Sequence, residues 1–540
     1  MWSQHYTPIA GSLGASALVA ALPVFALLYL LGVKRKPAWA ASVAGLAAAV
    51  AVALFCYRMP PVTMLSAIGY GAAIGLFPIG WVVFCALLLY RITVETGKFD
   101  ILKDSIGSLT ADRRLQALLI AFAFGAFIEG AAGFGTPVVV AAAMLTGLGF
   151  SPFYAAGICL LANTAPVAFG SIGIPILTLN KVVPSLSIDQ LSATVGRICA
   201  PVSLIIPAYL MLVMCGWRGL RGVLLGTAVC GVSFAGTQFL VSNYVGPQLT
   251  DILSSLAAIS SLVILFLLWK PKDGFRFEGE ASPLVAPRRH SARELALAWG
   301  PYGLLVVFVL LWGCAPVRHL LERGSVRIPW PGLHDAIWLM PHVVSTPQPY
   351  HAFYDFNWLS ASGTACLLAA ISSALLLGMP PRQFAGVFLK TVKQLLVPEL
   401  TIATVLALAF LMNYSGATAT LGLAFAATGV LFPFFSALLG WLGVFLTGSD
   451  TSSNALFGNL QVITADTLHY SRVLMAAANS SGGVMGKMIS LQSIAVAAAA
   501  TGLGRREESR LFRFTLGHSI ILASLIGLIT ALYAYTGWAG

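Results

Sequence analysis

Charged residues are scarce in this chain of 540 residues, of which Asp, Glu, Lys and Arg together make up only 9%. An average soluble chain has roughly 25%. Hydrophobic residues make up 58%, and the mean hydropathy is +0.87. A soluble fold of this length could not cover its surface with so few charges. The composition therefore excludes a soluble enzyme, a nucleic-acid-binding protein and a disordered scaffold, and it predicts a protein embedded in a lipid bilayer.

Motifs for metals, nucleotides and catalysis are also missing. The eight cysteines include no CxxC pair and lie in or beside apolar runs, which favours small buried side chains over a disulfide frame or a zinc site. No Gly-Lys-Ser/Thr step follows the glycine-rich segments, and no HExxH or Ser-His-Asp pattern occurs. Four histidines in the segment 317–357 have spacings of 15, 8 and 9 residues, which match no ligand pattern: His319, His334, His342 and His351. The sequence predicts no metal, no cofactor and no enzyme.

Long apolar runs dominate what is present. A helix that crosses a bilayer needs about 20 apolar residues. Two longer stretches, 115–179 and 417–501, are interrupted by Gly, Ser, Asn and Pro, and each has room for two to three crossings. We predict an all-α polytopic membrane protein with about 12–14 transmembrane helices. The clear candidate spans are 9–32, 38–56, 72–90, 198–215, 223–240, 252–269, 299–316, 358–378, 395–412 and 516–537.

Basic residues indicate how these spans are oriented, because positive loops face the cytoplasm. The N-terminal segment lacks the basic residues that open a secretory signal and carries Lys34, Arg35 and Lys36 after its apolar run, so it is expected to remain as the first span with its N-terminus outside. The net charge of +12 then reflects loops beside anionic lipid. The five segments predicted to be cytoplasmic are 33–37, 91–116, 270–298, 379–394 and 504–513. Segments on the same side of the membrane must be separated by an even number of crossings. One re-entrant hairpin in each half satisfies this condition.

The two irregular stretches resemble each other. Each has an acid inside a break rich in glycine and hydroxyl residues, Glu129 or Asp450, followed by an Ala-Asn step at Asn163 or Asn479. The acids lie 321 residues apart and the asparagines 316. Matched breaks in two halves are the best sequence sign of a transporter binding site. We predict inverted repeats in the halves 1–269 and 299–540, joined by a cytoplasmic linker at 270–298. The breaks lie at 127–143, 160–176, 445–460 and 475–493.

Broken helices are costly in hydrocarbon, since every backbone amide there needs an internal partner. Such breaks are tolerated where they line a polar cavity, and the helix N-termini that they free attract a carboxylate. Glycine-rich segments also serve as seams for close helix packing. The embedded charges of Glu129, Asp450 and Lys487 favour a functional pathway, because ionisable residues at this depth usually mark one.

Several motifs resemble the bacterial L-lactate permease family. They are the opening WSQHYTP, RITVETGKFDILKDSI (91–106), EGAAGFGTPV (129–138), NTAPVAFGSIGIPI (163–176), GWLGVFLTGSDTSSNALF (440–457) and NSSGGVMGKMIS (479–490). The resemblance covers nearly the whole chain. It implies proton-coupled uptake of 2-hydroxy monocarboxylates, namely L-lactate, D-lactate and glycolate, across the bacterial cytoplasmic (inner) membrane. The proton is then the coupling ion. A broader set of related ion transporters has inverted repeats, re-entrant hairpins and an elevator mechanism.

Those related transporters place Ser-Asn-Thr steps at the substrate site, and the steps at Asn163 and Asn479 are similar. Lys487 is the candidate counter-charge for a small carboxylate, with a structural pair to Asp450 as the alternative. Proton coupling needs an acid that is ionised on one side of the membrane and neutral in transit, and we assign this role to Glu129 and Asp450. The full set of predicted substrate-binding residues is Asn163, Thr164, Asn479, Ser480, Ser481, Lys487, Gly133, Gly135 and Ser449.

Other functions remain open at this point. Carboxylates on broken helices would equally serve a cation/proton antiporter, and the site could carry another small organic anion. A channel would be excluded by saturable, gradient-driven accumulation. The sequence does not indicate an oligomeric state or rank lactate against glycolate.

Overall fold

The computed structural model describes residues 2–34, 36–107, 109–133, 136–271, 275, 290–341, 343–344 and 346–537. Among these residues, the first half of the chain forms thirteen α-helices: α1 Leu13–Gly32, α2 Ala38–Ala51, α3 Pro61–Ile74, α4 Trp81–Glu95, α5 Lys98–Gly107, α6 Arg113–Ala117, α7 Gly125–Ala131, α8 Thr136–Gly147, α9 Pro152–Ala162, α10 Gly170–Val182, α11 Ile188–Gly222, α12 Leu224–Tyr244 and α13 Thr250–Leu268. Short π-helical turns continue α2 over Val52–Cys56, join α3 to α4 over Gly75–Gly80, and join α6 to α7 over Leu118–Phe124.

The described part of the second half adds ten α-helices: α14 Ala292–Gly313, α15 Ala315–Glu322, α16 Ser362–Leu376, α17 Pro381–Ser415, α18 Ala417–Phe425, α19 Phe432–Thr447, α20 Asp450–Leu468, α21 Arg472–Gly486, α22 Leu491–Thr501 and α23 Arg505–Thr536. Five short strands are β1 Trp2–Ser3, β2 Val326–Pro329, β3 Ile337–Leu339, β4 Gln348–Pro349 and β5 Phe353–Phe356. Most of the predicted linker 270–298 lies outside the described residues, so the division into two related halves stays a prediction.

The predicted all-α polytopic membrane fold is confirmed. Within the described residues, 11 helices are long and apolar enough to cross a membrane, or 13 if each of two bent helix pairs counts as one span. Several helices exceed the predicted spans, since α11 and α17 each run for 35 residues. The two bent pairs fall where the sequence predicts broken helices. Pro152–Ala162 meets Val167–Val182 at 63°, and Arg472–Ile489 meets Gln492–Thr501 at 41°.

The two bent pairs begin in the same way. Ser151 caps α9 by accepting a hydrogen bond from the Tyr154 amide at 3.4 Å, and Ser471 caps α21 by accepting one from Leu474 at 3.3 Å. A serine in this position satisfies an amide that has no partner within its helix. Ahead of each pair, two helices pack side by side: α7 with α8, and α19 with α20. The turns between these helices lie at the predicted breaks around Glu129 and Asp450.

Close glycine contacts hold α19 against α21. A Cβ at Gly440 would lie 2.6 Å from the Asn479 carbonyl carbon, and a Cβ at Gly482 would lie 2.6 Å from the Ala437 carbonyl carbon. The neighbouring atoms are backbone and cannot rotate away. This crossing therefore depends on small residues, as close helix contacts in membranes generally do.

We expect Gly482→Ala to destabilise the fold by about 1–3 kcal/mol, the usual cost of overpacking a tight contact. The matched control is Gly517→Ala, since a Cβ at this position in α23 meets nothing within 4 Å. Thermal unfolding of the purified variants in detergent checks the prediction. Equal unfolding temperatures for the two variants would contradict the proposed packing.

A small β-structured cap covers one end of the bundle and joins the N-terminus to the segment 317–357. The strand β1 pairs in parallel with β3, which pairs antiparallel with β4, and β2 pairs antiparallel with β5. The Gln4 side chain donates to the carbonyl oxygens of Asn413 and Tyr414, each at 2.9 Å. The N-terminus and this segment therefore lie on the same side of the molecule, although the sequence separates them by more than 300 residues.

The expected basic loop 91–116 is largely helical, and part of it is buried. The Arg114 side chain is fully buried and donates to Asp112 Oδ2 at 2.8 Å and to the Gly219 carbonyl oxygen at 3.0 Å. Asp112 also caps α6 by accepting from the Arg114 amide. This arginine therefore anchors the start of α6, and the cytoplasmic placement of the segment 91–116 stays a prediction.

Candidate functional site

A cavity of about 290 Å³ lies where the breaks of the two halves meet. The first half contributes Glu129, Gly170 and Ser171, and the second contributes Thr447–Ser452 and Lys487. Apolar walls come from Val167, Ile174, Pro175, Val397 and Ile402. The halves also touch directly, since Asn454 Nδ2 donates to the Pro175 carbonyl oxygen at 3.1 Å. Breaks that are far apart in sequence thus form one polar space with an apolar wall.

Lys487 lies at the break between α21 and α22 and is only 9% exposed. Its Nζ donates to the carbonyl oxygen of Gly448 at 2.6 Å, at the tip between α19 and α20. Glu129 and Asp450 act on it electrostatically, but no carboxylate in the described part of the chain forms an ion pair with it. An ammonium group has three donors, so two are left for a ligand. This geometry does not support the alternative of a structural pair with Asp450.

Glu129 lies near the end of α7, is 5% exposed, and packs against the break that follows α9. A Cβ at Gly170 would lie 2.6 Å from Glu129 Oε1, so only glycine leaves room for this carboxyl group. Its Oε2 is buried and has no hydrogen-bond partner in the part of the chain that the structure describes. An unsatisfied carboxylate oxygen of this kind is costly unless it is protonated or binds something else.

Asp450 is the first residue of α20 and lines the same cavity as Glu129. Its Oδ2 accepts from Ser480 Oγ at 2.6 Å and from Asn454 Nδ2 at 3.3 Å, whereas Oδ1 is buried without a partner. Ser449 caps the helix by accepting from the Ser452 amide at 3.2 Å. The Gly448 backbone has a φ of +73°, which favours glycine and forms the sharp tip. The start of α20 thus presents a helix N-terminus to the cavity.

An unusual backbone lies opposite Asp450, at the start of α10. Ser171, Ile172 and Gly173 have φ values of 46°, 61° and 74°, in the left-handed region. Such conformations are strained for Ser and Ile and cluster at functional sites. The Ser171 hydroxyl donates to the Ala132 carbonyl oxygen at 3.1 Å, which ties this turn to the tip between α7 and α8.

The predicted residues divide into two groups. Glu129, Ser449, Asp450 and Lys487 line the cavity. The other predicted residues in the described chain do not line it: Gly133, Asn163, Thr164, Asn479, Ser480 and Ser481. Gly135 lies outside the described residues. The substrate-binding and coupling roles stay predictions for all of them.

Asn479 differs most from expectation, because we expected it to flank the cavity. Its Nδ2 donates to Asn454 Oδ1 at 2.9 Å, and its Oδ1 accepts from Gln461 Nε2 at 3.1 Å. Asn454 in turn donates to Asp450, so Asn479 acts on this acid through Asn454. Asn163 is a different case: it faces the Glu129 carboxyl group, and neither of its amide atoms has a partner of normal hydrogen-bond geometry. Thr164 donates to its own helix, to Leu161 O at 2.8 Å.

Three residues that the sequence analysis did not select belong to this region. Gly448 supplies the carbonyl oxygen that binds Lys487, and Ser171 joins the two breaks of the first half. Asp251 is a third buried acid, near Glu129. A signal for Asp251 was available, since a lone acid stands at the start of the apolar run 252–269. The other two act through backbone geometry, which side-chain patterns do not reveal.

Away from the cavity, the cap brings together His334, Asp335 and His351, whose potential ligand atoms lie within 4.8 Å of one another. Spacing along the sequence did not predict this grouping. His351 Nδ1 lies 2.6 Å from Asp335 Oδ1, and His334 Nδ1 accepts from the Ala352 amide at 3.1 Å. Because His334 Nδ1 accepts this hydrogen bond, the proton of the neutral ring lies on Nε2, which is the nitrogen that a metal would need. The grouping is therefore a hydrogen-bonded cluster, and its chemistry disfavours a metal.

A multi-helix bundle with a polar cavity between broken helices defines a membrane transport protein. The chain matches the L-lactate permease family over residues 16–537. It is 46% identical to the glycolate permease GlcA of Escherichia coli K12, over 99% of this chain and 98% of that protein. It is also 46% identical to the L-lactate permease of Escherichia coli K12, with 99% and 98% coverage, and to that of Bacillus subtilis 168, with 98% coverage of both.

The chain belongs to the L-lactate permease family, which confirms the resemblance seen in its motifs. It is therefore a multi-pass membrane permease and not an enzyme. Among solved structures, the YdaH transporter of Alcanivorax borkumensis is similar over 88% of both chains, with a TM-score of 0.45 and 12% identity. This likeness is too weak to bear on the site or the mechanism.

Proposed function

We propose that this protein is a secondary active transporter that takes up L-lactate, D-lactate and glycolate together with protons across the bacterial cytoplasmic membrane, with its N-terminus outside. The observation that carries the proposal is Lys487, a buried ammonium held by the Gly448 carbonyl oxygen between two acids in a cavity that both halves build. Relatives of nearly equal length are named L-lactate permease and glycolate permease, which supports this substrate class.

The cavity offers a partner for each part of lactate. Its carboxylate would accept from the Lys487 ammonium and face the N-terminus of α20, whose partial positive charge stabilises an anion. Hydroxyl groups at Thr447, Ser449 and Ser452 line the same wall and can pair with the 2-hydroxyl group. The methyl group would lie against Ile174 and Val167. Glycolate lacks that methyl group and would leave this wall uncovered.

Competition for Lys487 provides the coupling. When Glu129 and Asp450 are ionised, their two negative charges outnumber the single charge of the ammonium and repel a substrate carboxylate. When a proton neutralises Glu129, the ammonium keeps its charge and is available to lactate. A proton and an anion then enter the site together, and their combined charge is zero. Lactate bound without a proton would add an uncompensated negative charge to the site. Carrying that charge through the low-dielectric interior is costly, so this state is unfavourable.

Uptake of labelled lactate into proteoliposomes tests the proposed function. An inward proton gradient is expected to drive accumulation above the external concentration, and collapse of the gradient by a protonophore is expected to release it. Counterflow without a gradient serves as the control for active protein. Proton efflux driven by sodium or potassium, with no lactate uptake, would show that the protein is instead a cation/proton antiporter. Downhill flux that does not saturate would indicate a channel.

Asn479→Ala is expected to reduce stability and leave selectivity unchanged. The change leaves Asn454 Oδ1 buried without its donor, at about 1–3 kcal/mol. Gln461 Nε2 loses one of its two acceptors and still donates to the Ser436 carbonyl oxygen at 2.9 Å. Thermal unfolding and the Kd values for lactate and propionate, which lacks the hydroxyl group, check this. A larger loss of affinity for lactate than for propionate would show that Asn479 contacts the substrate hydroxyl group after all.

A further inference from the structure

Asp251 is a buried acid for which the proposed transport mechanism has no role so far. It lies in the first turn of α13, is 1% exposed, and has no hydrogen-bond partner among the described residues at either carboxylate oxygen. A buried carboxylate with no donor at all is too costly to keep as a permanent charge. A structural aspartate would be expected to cap a helix or to pair, as Asp112 does with Arg114. The isolation of Asp251 therefore indicates a group that holds a proton.

Glu129 is an acid that acts electrostatically on Asp251. The helices α13 and α7 pack together, and a Cβ at Gly130 would lie only 2.8 Å from the Asp251 Cβ, so glycine next to Glu129 permits the approach. The two carboxyl groups are close enough for each to repel the other when both are ionised. Glu129 Oε2 also lacks a partner. Two acids in this arrangement are more stable when they share one proton.

We infer that Asp251 and Glu129 form a carboxyl pair that holds and passes on the coupling proton, with Asp251 as the member on the outer side. The inference rests on the proposed proton symport. The direction follows from α13, whose far end runs into the basic segment 270–298 that is predicted to be cytoplasmic, so its first turn lies toward the outside. A proton on an Asp251 oxygen passes to a Glu129 oxygen, and Asp251 returns to its ionised form.

The groups around the pair fit this role. Among the described residues, Lys487 and Asn163 face Glu129, and Cys199 of α11 is the other titratable group that Asp251 affects. With one shared proton, the pair carries a single negative charge opposite the positive Lys487. With a second proton the pair is neutral, and Lys487 is left for the substrate carboxylate. Asp251 thus passes a proton from the outer side to Glu129, the acid that competes with the substrate carboxylate for Lys487.

The test is Asp251→Asn, which keeps the size of the side chain and removes the acid. In proteoliposomes, proton-driven lactate accumulation is expected to fall at least about 10-fold, as for loss of a proton-transfer group. Lactate counterflow needs no net proton movement and is expected to stay within about 2-fold of the unmodified protein. The matched control is Asp189→Asn, an exposed acid in the first turn of α11, which should change neither measurement.

Two results would overturn the inference. Normal accumulation by Asp251→Asn would show that the proton does not need this residue. Loss of counterflow together with accumulation would show that Asp251 serves folding or substrate binding. Both results are distinct from failure of the proposed function, in which the unmodified protein itself would show no proton-driven accumulation. As a second measurement, the Kd for lactate of purified Asp251→Asn should depend less on pH than that of the unmodified protein, and an unchanged pH profile counts against the pair.

Discussion

Glu129→Gln and Asp450→Asn are each expected to abolish proton-driven lactate accumulation while lactate exchange continues. Each change nearly preserves shape and removes one negative charge beside Lys487. A neutral amide at either position cannot take up or release a proton, so lactate movement is no longer tied to the proton gradient. Exchange continues because it needs no net proton movement.

The measurement compares accumulation and counterflow in the same proteoliposomes at equal protein content. Glu322→Gln is the control, because this acid lies on the exposed helix α15 and pairs with Arg318 at 2.8 Å. It should leave both rates unchanged. If either neutral variant accumulates lactate normally, that acid has no part in coupling.

The second large effect is expected for Lys487→Gln, which should lose lactate binding and both modes of transport. The lysine supplies the positive charge at the cavity, and in the described structure the Gly448 carbonyl oxygen is its one hydrogen-bond partner. Two unit charges 4 Å apart interact by about 4 kcal/mol at an effective dielectric constant of 20. Even partial loss of such an interaction should raise the lactate Kd by about 100-fold, or roughly 2.7 kcal/mol.

Calorimetric binding to the purified variant checks this value. Lys390→Gln is the matched control, because Lys390 is exposed and pairs with Glu95 at 2.8 Å. Neither residue lines the cavity. Its Kd should equal that of the unmodified protein. A Lys487→Gln variant that binds lactate as tightly as the control would remove the lysine from the substrate site and return it to a structural role.

Much of the site could be predicted because it depends on residues that are rare at this depth. Glu129, Asp450 and Lys487 stand out in a chain with 9% charged residues, and all three line the cavity. The bent helix pairs also fall at predicted breaks, since Gly, Asn and Pro interrupt helices through local geometry. Signals of this kind lie within a few residues of one another and need no knowledge of the fold.

The remaining features depend on contacts between distant segments. Nothing local shows that Asn479 turns toward Gln461 and Asn454, or that Arg114 is buried against Gly219. The position of Ser171 depends on a left-handed backbone conformation, which serine does not favour. An acid at the edge of an apolar run, such as Asp251, usually belongs to a loop, so local sequence gives it no special role. Its position beside Gly130 is set by the packing of α13 on α7.

The central claim is that a proton frees Lys487 for the substrate by neutralising Glu129. The most direct test is the lactate Kd of purified protein between about pH 5.5 and 8.5, a range in which lactate stays ionised because ordinary carboxyl groups titrate near pH 4. One required proton predicts that the Kd of the unmodified protein rises with pH, by up to about tenfold per unit. The Kd of Glu129→Gln should be independent of pH. The claim is contradicted if the unmodified protein binds lactate equally at both ends of this range, or if Glu129→Gln keeps the full dependence.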